Sequence, residues 1–375
     1  MSSLRIESAV LLSKLTSFEL GGAAEHFARI DDDAMLLEAL RWASARKLPV
    51  TVLGAGSNVV VSDRGVAGIV LQLTTRGVTF QAQSADIVHV RACAGEAWDA
   101  LVEACVARDL AGLECLSGIP GSVGATPIQN VGAYGQEVAD SIASVEVLER
   151  STLQRHTLSP AQCGFSYRGS AFKQQPERYI VLAVSFALRA HGAPTLRYAE
   201  LSQALARQTQ TQTQTQTPNL LQVRASVLAL RRAKSMVIDP SDENRRSAGS
   251  FFTNPVVSAA RAQEVIQLAV QQQLVARAED VPRYPQPDGS VKLAAGWLIE
   301  RAGIQKGLRH GHFGVSSRHA LALVHHGGGK SAELLTLARM VARRVREVFG
   351  VDLAVEPVFL GFDVDPMSEP AADGT

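Results

Sequence analysis

The sequence has no surplus of charge of either sign. It contains 37 Lys and Arg residues against 36 Asp and Glu residues, which gives a formal net charge of +1. A protein that holds nucleic acid or an anionic membrane through its overall field needs a clear basic surplus. We therefore expect no nucleic-acid partner and no membrane partner, and an anionic ligand has to be held by local groups.

Long apolar runs and paired cysteines are also missing. No run approaches the roughly 20 apolar residues of a membrane helix. Glu7 and Lys14 interrupt the N-terminal region, so we expect no signal peptide. The four cysteines form no CxxC pair, which argues against a zinc ribbon and against a disulfide framework. These absences favour a cytoplasmic protein.

The apolar pattern that is present indicates a mixture of helices and strands. Helical spacing of apolar side chains in residues 31–48 predicts a helix, and Val50–Leu53 reads as a buried strand that ends in a glycine turn. Ser331 is a candidate cap for a second long helix, which we expect to stop at Gly350. A chain of 375 residues with this pattern predicts two or three domains.

Residues 208–217 repeat one dipeptide, QTQTQTQTQT. Neither face of a strand with this sequence would be apolar, so the segment has no core to bury. We interpret it as a loop insertion.

Two glycine-rich loops are candidates for ligand binding. The first, LGAGSN at residues 53–58, follows a strand, but the third glycine and the following helix of a dinucleotide fingerprint are absent. A Rossmann fold is therefore unlikely at this position. By itself this loop fits a structural turn as well as it fits a phosphate cradle.

The second loop, LSGIPGSVGATPIQNVGAYGQE at residues 116–137, has five glycines within 18 residues and no Lys or Arg. Glycine loses more conformational entropy on folding than other residues, so this density indicates unusual backbone angles or close approach to a ligand. Backbone amides and short hydroxyl groups can hold a diphosphate without a lysine. We favour a ligand cradle, and a purely structural loop stays open.

Four of the nine histidines form two close pairs in the sequence, His310 with His312 and His325 with His326. No carboxylate or cysteine cluster completes a ligand set around them. We predict no metal site and interpret these histidines as surface residues.

The stretch AGSFFTNP, residues 248–255, places one hydroxyl group, that of Ser250, beside two phenylalanines. Read alone, Ser250 is a turn residue that satisfies the backbone. The other interpretation is a proton donor in a dry pocket, in which Phe251 and Phe252 exclude water.

Six motifs occur in an order that resembles the UDP-N-acetylenolpyruvoylglucosamine reductase family, called MurB. They are GAGSN, LSGIPGSVGATPIQNVGAYG, FSYRGSAFK, AGSFFTNPV, DGSVKLAAGWLIE and LAVEPVFLG. The resemblance runs from about Leu15 to Gly361 and is closest to the longer form of the family. Thr253, where a lysine is common, and the dipeptide repeat depart from the pattern.

The resemblance implies an α+β protein with a two-subdomain FAD-binding fold of the vanillyl-alcohol-oxidase type and a C-terminal α+β substrate domain. It implies non-covalent FAD, NADPH as co-substrate and a monomer. The implied reaction reduces UDP-N-acetylenolpyruvoylglucosamine to UDP-N-acetylmuramate in peptidoglycan precursor synthesis. The expected divisions are 1–74 and 75–222 for the FAD-binding subdomains, 223–361 for the substrate domain and 362–375 for a disordered tail.

The family's site residues carry over to matching positions. The resemblance implies catalytic roles for Arg168, Ser250 and Glu356. It implies substrate contacts at Tyr167, Tyr198, Lys234, Asn254, Tyr284 and Lys292. The two glycine loops would hold FAD through Gly54, Ala55, Gly56, Ser57, Asn58, Gly118, Gly121, Ser122, Gly124, Gln129, Asn130, Gly132, Ala133 and Tyr134.

The chemistry needs these residue types. Hydride transfer to the enolpyruvyl methylene leaves negative charge next to a carboxylate, which a guanidinium such as that of Arg168 can bind with two hydrogen bonds. The neighbouring carbon then takes a proton, which the Ser250 hydroxyl can supply, while Glu356 serves as a protonated acid or relay. Another flavin oxidoreductase of this fold, and a nucleotide-sugar-binding protein without turnover, are the alternatives.

Overall fold

The protein contains both helices and strands, with several strands following one another between helices. Its computed structural model describes residues 3–209 and 217–368. The α-helices are α1 (Asp33–Ala45), α2 (Trp98–Val106), α3 (Pro160–Cys163), α4 (Ala171–Gln174), α5 (Ala199–Thr209), α6 (Leu220–Ala233), α7 (Ala259–Gln271), α8 (Ala295–Arg301) and α9 (Ser331–Phe349).

The strands of seven or more residues lie in the two largest sheets. They are β1 (Glu7–Leu11), β2 (Ala23–Ile30), β3 (Val50–Leu53), β4 (Val59–Val61), β5 (Val66–Leu73), β6 (Val78–Ala82), β7 (Ile87–Cys93), β8 (Leu110–Ala111), β9 (Gly132–Ala133), β10 (Gln136–Glu137), β11 (Ile142–Glu149), β12 (Gln154–Leu158), β13 (Tyr179–Ala190), β14 (Val256–Val257), β15 (Arg283–Pro285), β16 (Val291–Leu293), β17 (Arg309–His310), β18 (Phe313–Val315), β19 (Leu323–His325) and β20 (Val358–Leu360).

The described residues form two compact units that interleave in sequence. Unit 1 contains residues 3–10, 24–56, 67–209 and 217–238. Unit 2 contains residues 11–23, 57–66 and 239–368.

Unit 1 is built on two sheets. One sheet has the strand order β1-β2-β5-β3, in which β3 and β5 run parallel with Val50 opposite Ile69. The other has the order β12-β11-β13-β7-β6, with β8 also paired to β13. The strands of this second sheet are antiparallel, and the fully buried Trp98 and Phe186 pack together in the core against it. The predicted helix and strand at residues 31–53 are confirmed as α1 and β3.

Unit 2 packs α7, α8 and α9 around a single apolar core. Small antiparallel sheets with the orders β14-β16-β15 and β17-β18-β19 lie in the same unit, and β4 pairs in parallel with β20. Three buried residues from the early segments, Phe18, Leu20 and Val60, belong to this core. The long helix α9 ends at Gly350, which adopts φ +60° as the predicted left-handed cap.

The observed division differs from the predicted domains. Both predicted FAD-binding subdomains contribute to unit 1, and the boundary with unit 2 lies after residue 238 rather than after 222, because α6 packs against unit 1 residues such as Leu201. The predicted tail is ordered at its start, where Phe362 and Met367 pack against the unit 2 core. Residues 210–216 of the dipeptide repeat and residues 369–375 lie outside the described residues.

Within residues 3–209 and 217–368, no helix is both long enough and apolar enough to cross a bilayer.

Candidate active site

The predicted glycine loops approach one another inside unit 1. A Cβ atom added to Gly54 would lie 2.5 Å from the Ser122 Oγ and 3.9 Å from the Ala125 Cβ. Only glycine fits at position 54 without a shift of its neighbours. The loop therefore turns with its bare backbone against the second loop, as the cradle interpretation requires.

Three glycines of the second loop form hydrogen bonds within the protein through their backbone groups. The Gly118 N–H donates to Asp99 Oδ1 at 2.6 Å, and the Gly124 N–H donates to the Ala94 carbonyl at 2.9 Å. The Gly121 carbonyl accepts from the Trp98 N–H at 3.1 Å. The Gly118 and Gly124 N–H groups are thus used within the protein, and a contact of either residue with FAD stays a prediction.

Asn130, a predicted cofactor residue, is held by the protein. Its Nδ2 donates to Glu137 Oε2 at 2.6 Å and to the Ser166 carbonyl at 3.0 Å, while its Oδ1 accepts from the Ala139 N–H at 3.2 Å. The side chain is buried, and the backbone adopts φ +46°. The side-chain amide therefore ties the glycine loop to the turn at Ser166, and a contact of this residue with FAD stays a prediction.

That turn presents Arg168. Ser166 and Gly169 form a bridge, and Arg168 between them has φ +52°, an uncommon angle for a residue with a Cβ. Its guanidinium donates from Nη2 to the Gly132 carbonyl at 2.7 Å and lies 5.3 Å from the centre of the Tyr167 ring. Such strain is kept where the surroundings fix it, commonly at functional sites. The arginine is therefore a preorganised cation.

Tyr134, Tyr198 and Lys234, three of the predicted binding residues, meet in unit 1. The rings of Tyr134 and Tyr198 stack edge to face with centroids 5.5 Å apart, and the Lys234 Nζ lies 5.8 Å from the Tyr134 ring centre. Burial raises the pKa of Tyr134 to about 12, so its phenol stays protonated at neutral pH. Tyr134 itself has φ +49°. These three residues therefore lie at one location.

Sequence reasoning missed Arg231. It lies on the buried face of α6, and its Cδ would be 3.5 Å from a Cβ at Gly118. Its Nη2 donates to the Met236 carbonyl at 2.6 Å, whereas its buried Nε has no partner among the described residues. Burial lowers the pKa of Arg231. Its spacing from Val223 and Val227 at helical intervals marks a cation on an apolar face, which was the available signal.

These features provide a test of whether FAD fits. The buried guanidinium of Arg231, whose Nε has no partner among the described residues, suits a cofactor that carries a diphosphate. Among the other predicted cofactor residues, Ala55 is exposed, Gly56 has φ +68°, Gln129 is half-buried and Ala133 lies in β9. The residues of unit 1 fit the group.

Ser250 lies in unit 2 at the start of a pinned segment. The Phe251 N–H donates to the Leu321 carbonyl at 2.7 Å, and Gly249 turns the chain with φ +74°. Ser250 is half-buried, whereas Phe251 and Phe252 are fully buried. The two rings pack into the core of unit 2, where Phe18 meets Phe251. The two rings therefore anchor the segment from the side of the core, and exclusion of water from the Ser250 hydroxyl group stays a prediction.

Glu356 lies opposite this segment. Its N–H donates to the Phe251 carbonyl at 2.9 Å, and Phe252 forms an antiparallel bridge with Val355. Its own carbonyl accepts from Asn58 Nδ2 at 3.3 Å. The carbonyl of Ser57, the residue before Asn58, accepts from Ser17 Oγ at 3.2 Å. The structure therefore brings Glu356 beside the neighbour of Ser250 and places Ser57 and Asn58, unlike Gly54, in unit 2.

The other predicted substrate residues of unit 2 are also neighbours. Tyr284 and Lys292 are cross-strand partners in β15 and β16, with the Lys292 Nζ 5.9 Å from the Tyr284 ring centre. Lys292 is also opposite Val256 in β14, two residues after Asn254. Asn254 Oδ1 accepts from the Ala295 N–H at 2.9 Å and so satisfies the first amide of α8.

The histidines do not form a metal site within the described ranges, where no group of three His, Cys, Asp or Glu side chains is arranged to hold an ion. His325 is buried, contrary to the surface location expected from the sequence. Its Nδ1 contacts the Phe18 carbonyl at 3.0 Å, its Nε2 accepts from the Gly329 N–H at 3.3 Å, and its ring stacks on Phe313. Two satisfied nitrogens and a stacked ring explain why this side chain is inside.

Comparisons with known proteins cover both units. A family model described as "FAD binding domain" matches residues 24–155, and one described as "UDP-N-acetylenolpyruvoylglucosamine reductase, C-terminal domain" matches residues 239–360. The UDP-N-acetylenolpyruvoylglucosamine reductase of Thermobifida fusca is 44% identical over 353 residues, which is 94% of this chain and 97% of that protein. That of Mycobacterium marinum is 43% identical over 95% of this chain and 96% of its own length.

A solved structure is similar as well. The crystal structure of UDP-N-acetylenolpyruvylglucosamine reductase (MurB) from Thermus caldophilus superposes with a TM-score of 0.64 at 26% identity, covering 96% of this chain and all of that one. These matches confirm the predicted α+β fold class with an FAD-binding domain. With a relative 44% identical across 94% of its length, this chain belongs to the UDP-N-acetylenolpyruvoylglucosamine reductase family.

Proposed function

We propose that this chain reduces the enolpyruvyl ether of UDP-N-acetylenolpyruvoylglucosamine to the lactyl ether of UDP-N-acetylmuramate, with NADPH as reductant and FAD as non-covalent cofactor. This is a step of peptidoglycan precursor synthesis. When bound, FAD supplies the hydride, which the protein's side chains cannot provide. The family membership and the fit of unit 1 to the cofactor support this assignment.

The observation that carries the proposal is the pairing of residues 251–253 with 354–356. Through it, Glu356 lies opposite Phe251, the neighbour of Ser250. A hydroxyl group and a carboxyl group on adjacent, pinned segments can donate a proton to one atom of a substrate. Neither residue is needed to form the bridge, since its hydrogen bonds use backbone atoms.

Arg168 is the proposed carboxylate-binding group. Its guanidinium, held by the Gly132 carbonyl at 2.7 Å, is positioned before any substrate arrives. Fixed donors stabilise a developing enolate better than mobile ones, because no reorganisation accompanies the reaction. Removal of one such donor typically raises the barrier by about 3 kcal/mol.

Ser250 is the proposed proton donor. The carbon next to the substrate carboxylate receives the proton after hydride has reached the terminal methylene, so both atoms of the double bond gain hydrogen. A serine is a weak acid, but an enolate carbon is basic enough to take its proton when the two lie within about 3 Å. Glu356, as a protonated acid, returns a proton to the Ser250 hydroxyl group or donates a hydrogen bond to the substrate carboxylate.

Replacement of Ser250 by alanine tests this role. In anaerobic stopped-flow measurements, flavin bleaching by NADPH should keep its wild-type rate in the Ser250→Ala protein. Reoxidation by the enolpyruvyl sugar should slow by about 10²- to 10⁴-fold, the usual contribution of a positioned general acid.

Thr253→Val is the matched control, because it removes a hydroxyl group from the same segment while the Thr253 N–H still donates to the Ala354 carbonyl at 2.9 Å. It should leave both half-reactions within about twofold, since surface hydroxyl groups outside a site have small effects. Fast reoxidation of the Ser250→Ala protein would refute the proton-donor role, and a purified protein that binds no flavin would refute the proposed function.

A cytoplasmic location and a monomeric state stay predictions from the sequence. The sedimentation coefficient of the purified protein tests the second of these.

A further inference from the structure

An ion pair joins helices α5 and α6 at Lys234, one of the predicted substrate-contacting residues. The Lys234 Nζ donates to Glu200 Oε2 at 2.6 Å, and the side chains are 33% and 39% exposed. Glu200 was not among the residues that the sequence pointed to. It is the second residue of α5, whereas Lys234 follows the last residue of α6.

Apolar packing fixes the two helices against each other. Leu201 and Leu205 of α5 lie in one buried cluster with Val223 and Val227 of α6. Because Glu200 directly precedes Leu201, its carboxylate is held at the end of α6. The ion pair is therefore set by the packing of the helices and not by a chance meeting of two long side chains.

The aromatic pair lies at the same place. Tyr198 precedes α5 and meets Tyr134, whose ring centre is 5.8 Å from the Lys234 Nζ. Gly135 has φ +80°, and a Cβ there would be 3.0 Å from the Arg197 Cβ. The segment before α5 thus lies directly on the second glycine loop, and the charge of Glu200 also acts on Tyr134.

We propose that Glu200 is a specificity-determining residue that occupies Lys234 until the diphosphate of the nucleotide sugar takes its place. This rests on the proposed function and on the substrate contact of Lys234 that the family resemblance implies. The Lys234 Nζ lies 2.6 Å from the nearer carboxylate oxygen of Glu200. A diphosphate carries more negative charge and more acceptor oxygens than a carboxylate, so it can displace Glu200, whereas a neutral sugar cannot.

The exchange has a predictable cost. Binding the diphosphate breaks the Lys234–Glu200 contact and leaves a carboxylate near the ligand, so Glu200 weakens binding of every ligand that uses Lys234. Partly exposed ion pairs contribute little. We therefore expect a two- to fivefold effect on the dissociation constant, which converts to about 0.4–1 kcal/mol.

The test is isothermal titration of the FAD-loaded protein with UDP-N-acetylglucosamine as probe. Glu200→Gln should bind the probe about two- to fivefold more tightly than wild type. In steady-state assays its KM for the enolpyruvyl sugar should fall by the same factor, with the rate of flavin bleaching by NADPH unchanged. A merely structural role of Glu200 would lower affinity and would not separate KM from kcat in this way.

Two further variants make the result specific. Glu103→Gln removes a 71% exposed carboxylate that faces Arg224 of the same helix α6 at 4.0 Å, so it repeats the charge change away from Lys234. It should leave the dissociation constant unchanged. In a Lys234→Gln background, Glu200→Gln should no longer tighten binding, because the ammonium group for which Glu200 and the diphosphate compete is absent.

The outcomes separate the two proposals. Equal or weaker probe binding by Glu200→Gln, or the same gain from Glu103→Gln, would overturn the role of Glu200 while the proposed function stands. If neither wild type nor Glu200→Gln binds the probe, the proposed function fails and this inference fails with it.

Discussion

His325 lies in a setting that suits only the neutral imidazole. One ring nitrogen contacts the Phe18 carbonyl at 3.0 Å, and the other accepts from the Gly329 N–H at 3.3 Å. A protonated ring would have to give up that acceptor. Burial lowers the pKa of His325 below its ordinary value, and Arg246 adds to the effect while Glu19 opposes it. The side chain therefore links the stability of unit 2 to pH.

This linkage predicts a pH-dependent stability. Because the pKa of His325 is lower in the folded protein, the unfolded chain binds a proton first as pH falls, so acidification below about 6.5 favours unfolding. The free energy of unfolding of wild type should fall faster between about pH 7 and 5 than that of His325→Gln, by at most about 1.4 kcal/mol per pH unit. Urea titrations at several pH values measure both. Parallel curves would contradict the prediction.

The proposed catalytic residues were selected from the sequence, but the contacts around them could not be predicted from it. Motif matching selected Arg168, Ser250 and Glu356 because each sits in a short, distinctive string. The amide of Asn130 sits in an equally distinctive string, yet it bonds to Glu137 and to the Ser166 carbonyl. Nothing in the string says whether a polar side chain faces a ligand or its own backbone, since both uses need the same atoms.

Helix α9 begins with a cap from a distant segment. Asp63 accepts from the Ser331 N–H at 2.8 Å and from the Ala332 N–H at 3.2 Å, and its own N–H donates to Ser331 Oγ at 3.1 Å. Ser331 was predicted as the cap, but it is the first helical residue. A carboxylate satisfies two of the amides that a helix start leaves open and also stabilises the helix dipole.

Asp63→Ala should lower the free energy of unfolding by about 1–2 kcal/mol, the usual cost of a lost cap. Asp363→Ala is the control, because it removes a 78% exposed carboxylate that pairs with the equally exposed Arg64. It should cost less than about 0.5 kcal/mol. Chemical denaturation of both variants decides, and equal losses would show that the contacts of Asp63 do not cap α9.

Elements with a local apolar pattern could be predicted from the sequence, whereas the pairing of distant strands could not. The helical pattern of residues 31–48 became α1 and the apolar run Val50–Leu53 became β3, because apolar spacing records which face is buried. Strand β20 has only three residues, Val358–Leu360. Its partner β4 is equally short, and no local pattern encodes a pairing between segments so far apart.

On the scale of the whole molecule, unit 2 is assembled from three stretches of the chain. Residues 11–23 supply Phe18 and Leu20 to its core, and residues 57–66 supply Val60 and strand β4. The family model for the C-terminal domain covers only residues 239–360. The matched sequence is therefore smaller than the folded unit.

A fragment of residues 239–368 should consequently fail to fold. It lacks the partner of β20 and three core side chains, and the removal of large buried groups costs about 2–5 kcal/mol each, which approaches the whole stability of a domain. Thermal unfolding followed by circular dichroism should show no cooperative transition, in contrast to the full chain. A transition near that of the full chain would mean that the early segments are dispensable.

Domain boundaries were the least predictable feature. The sequence favoured a division after residue 222 because α6 follows the dipeptide repeat, where the pattern changes. Helix α6 instead packs with α5 and belongs to unit 1. A change of composition records where a loop lies, but the loop connects two helices of the same unit.

The interleaved order has a consequence for synthesis. Phe18, Leu20 and Val60 leave the ribosome early, but the other residues of their core lie beyond residue 239. At about 5–20 residues per second, these apolar side chains wait on the order of 10–45 s for their neighbours. We therefore expect chaperones to bind the N-terminal segment during translation. Synthesis of the last third of the chain should end this binding, because it supplies the rest of the core.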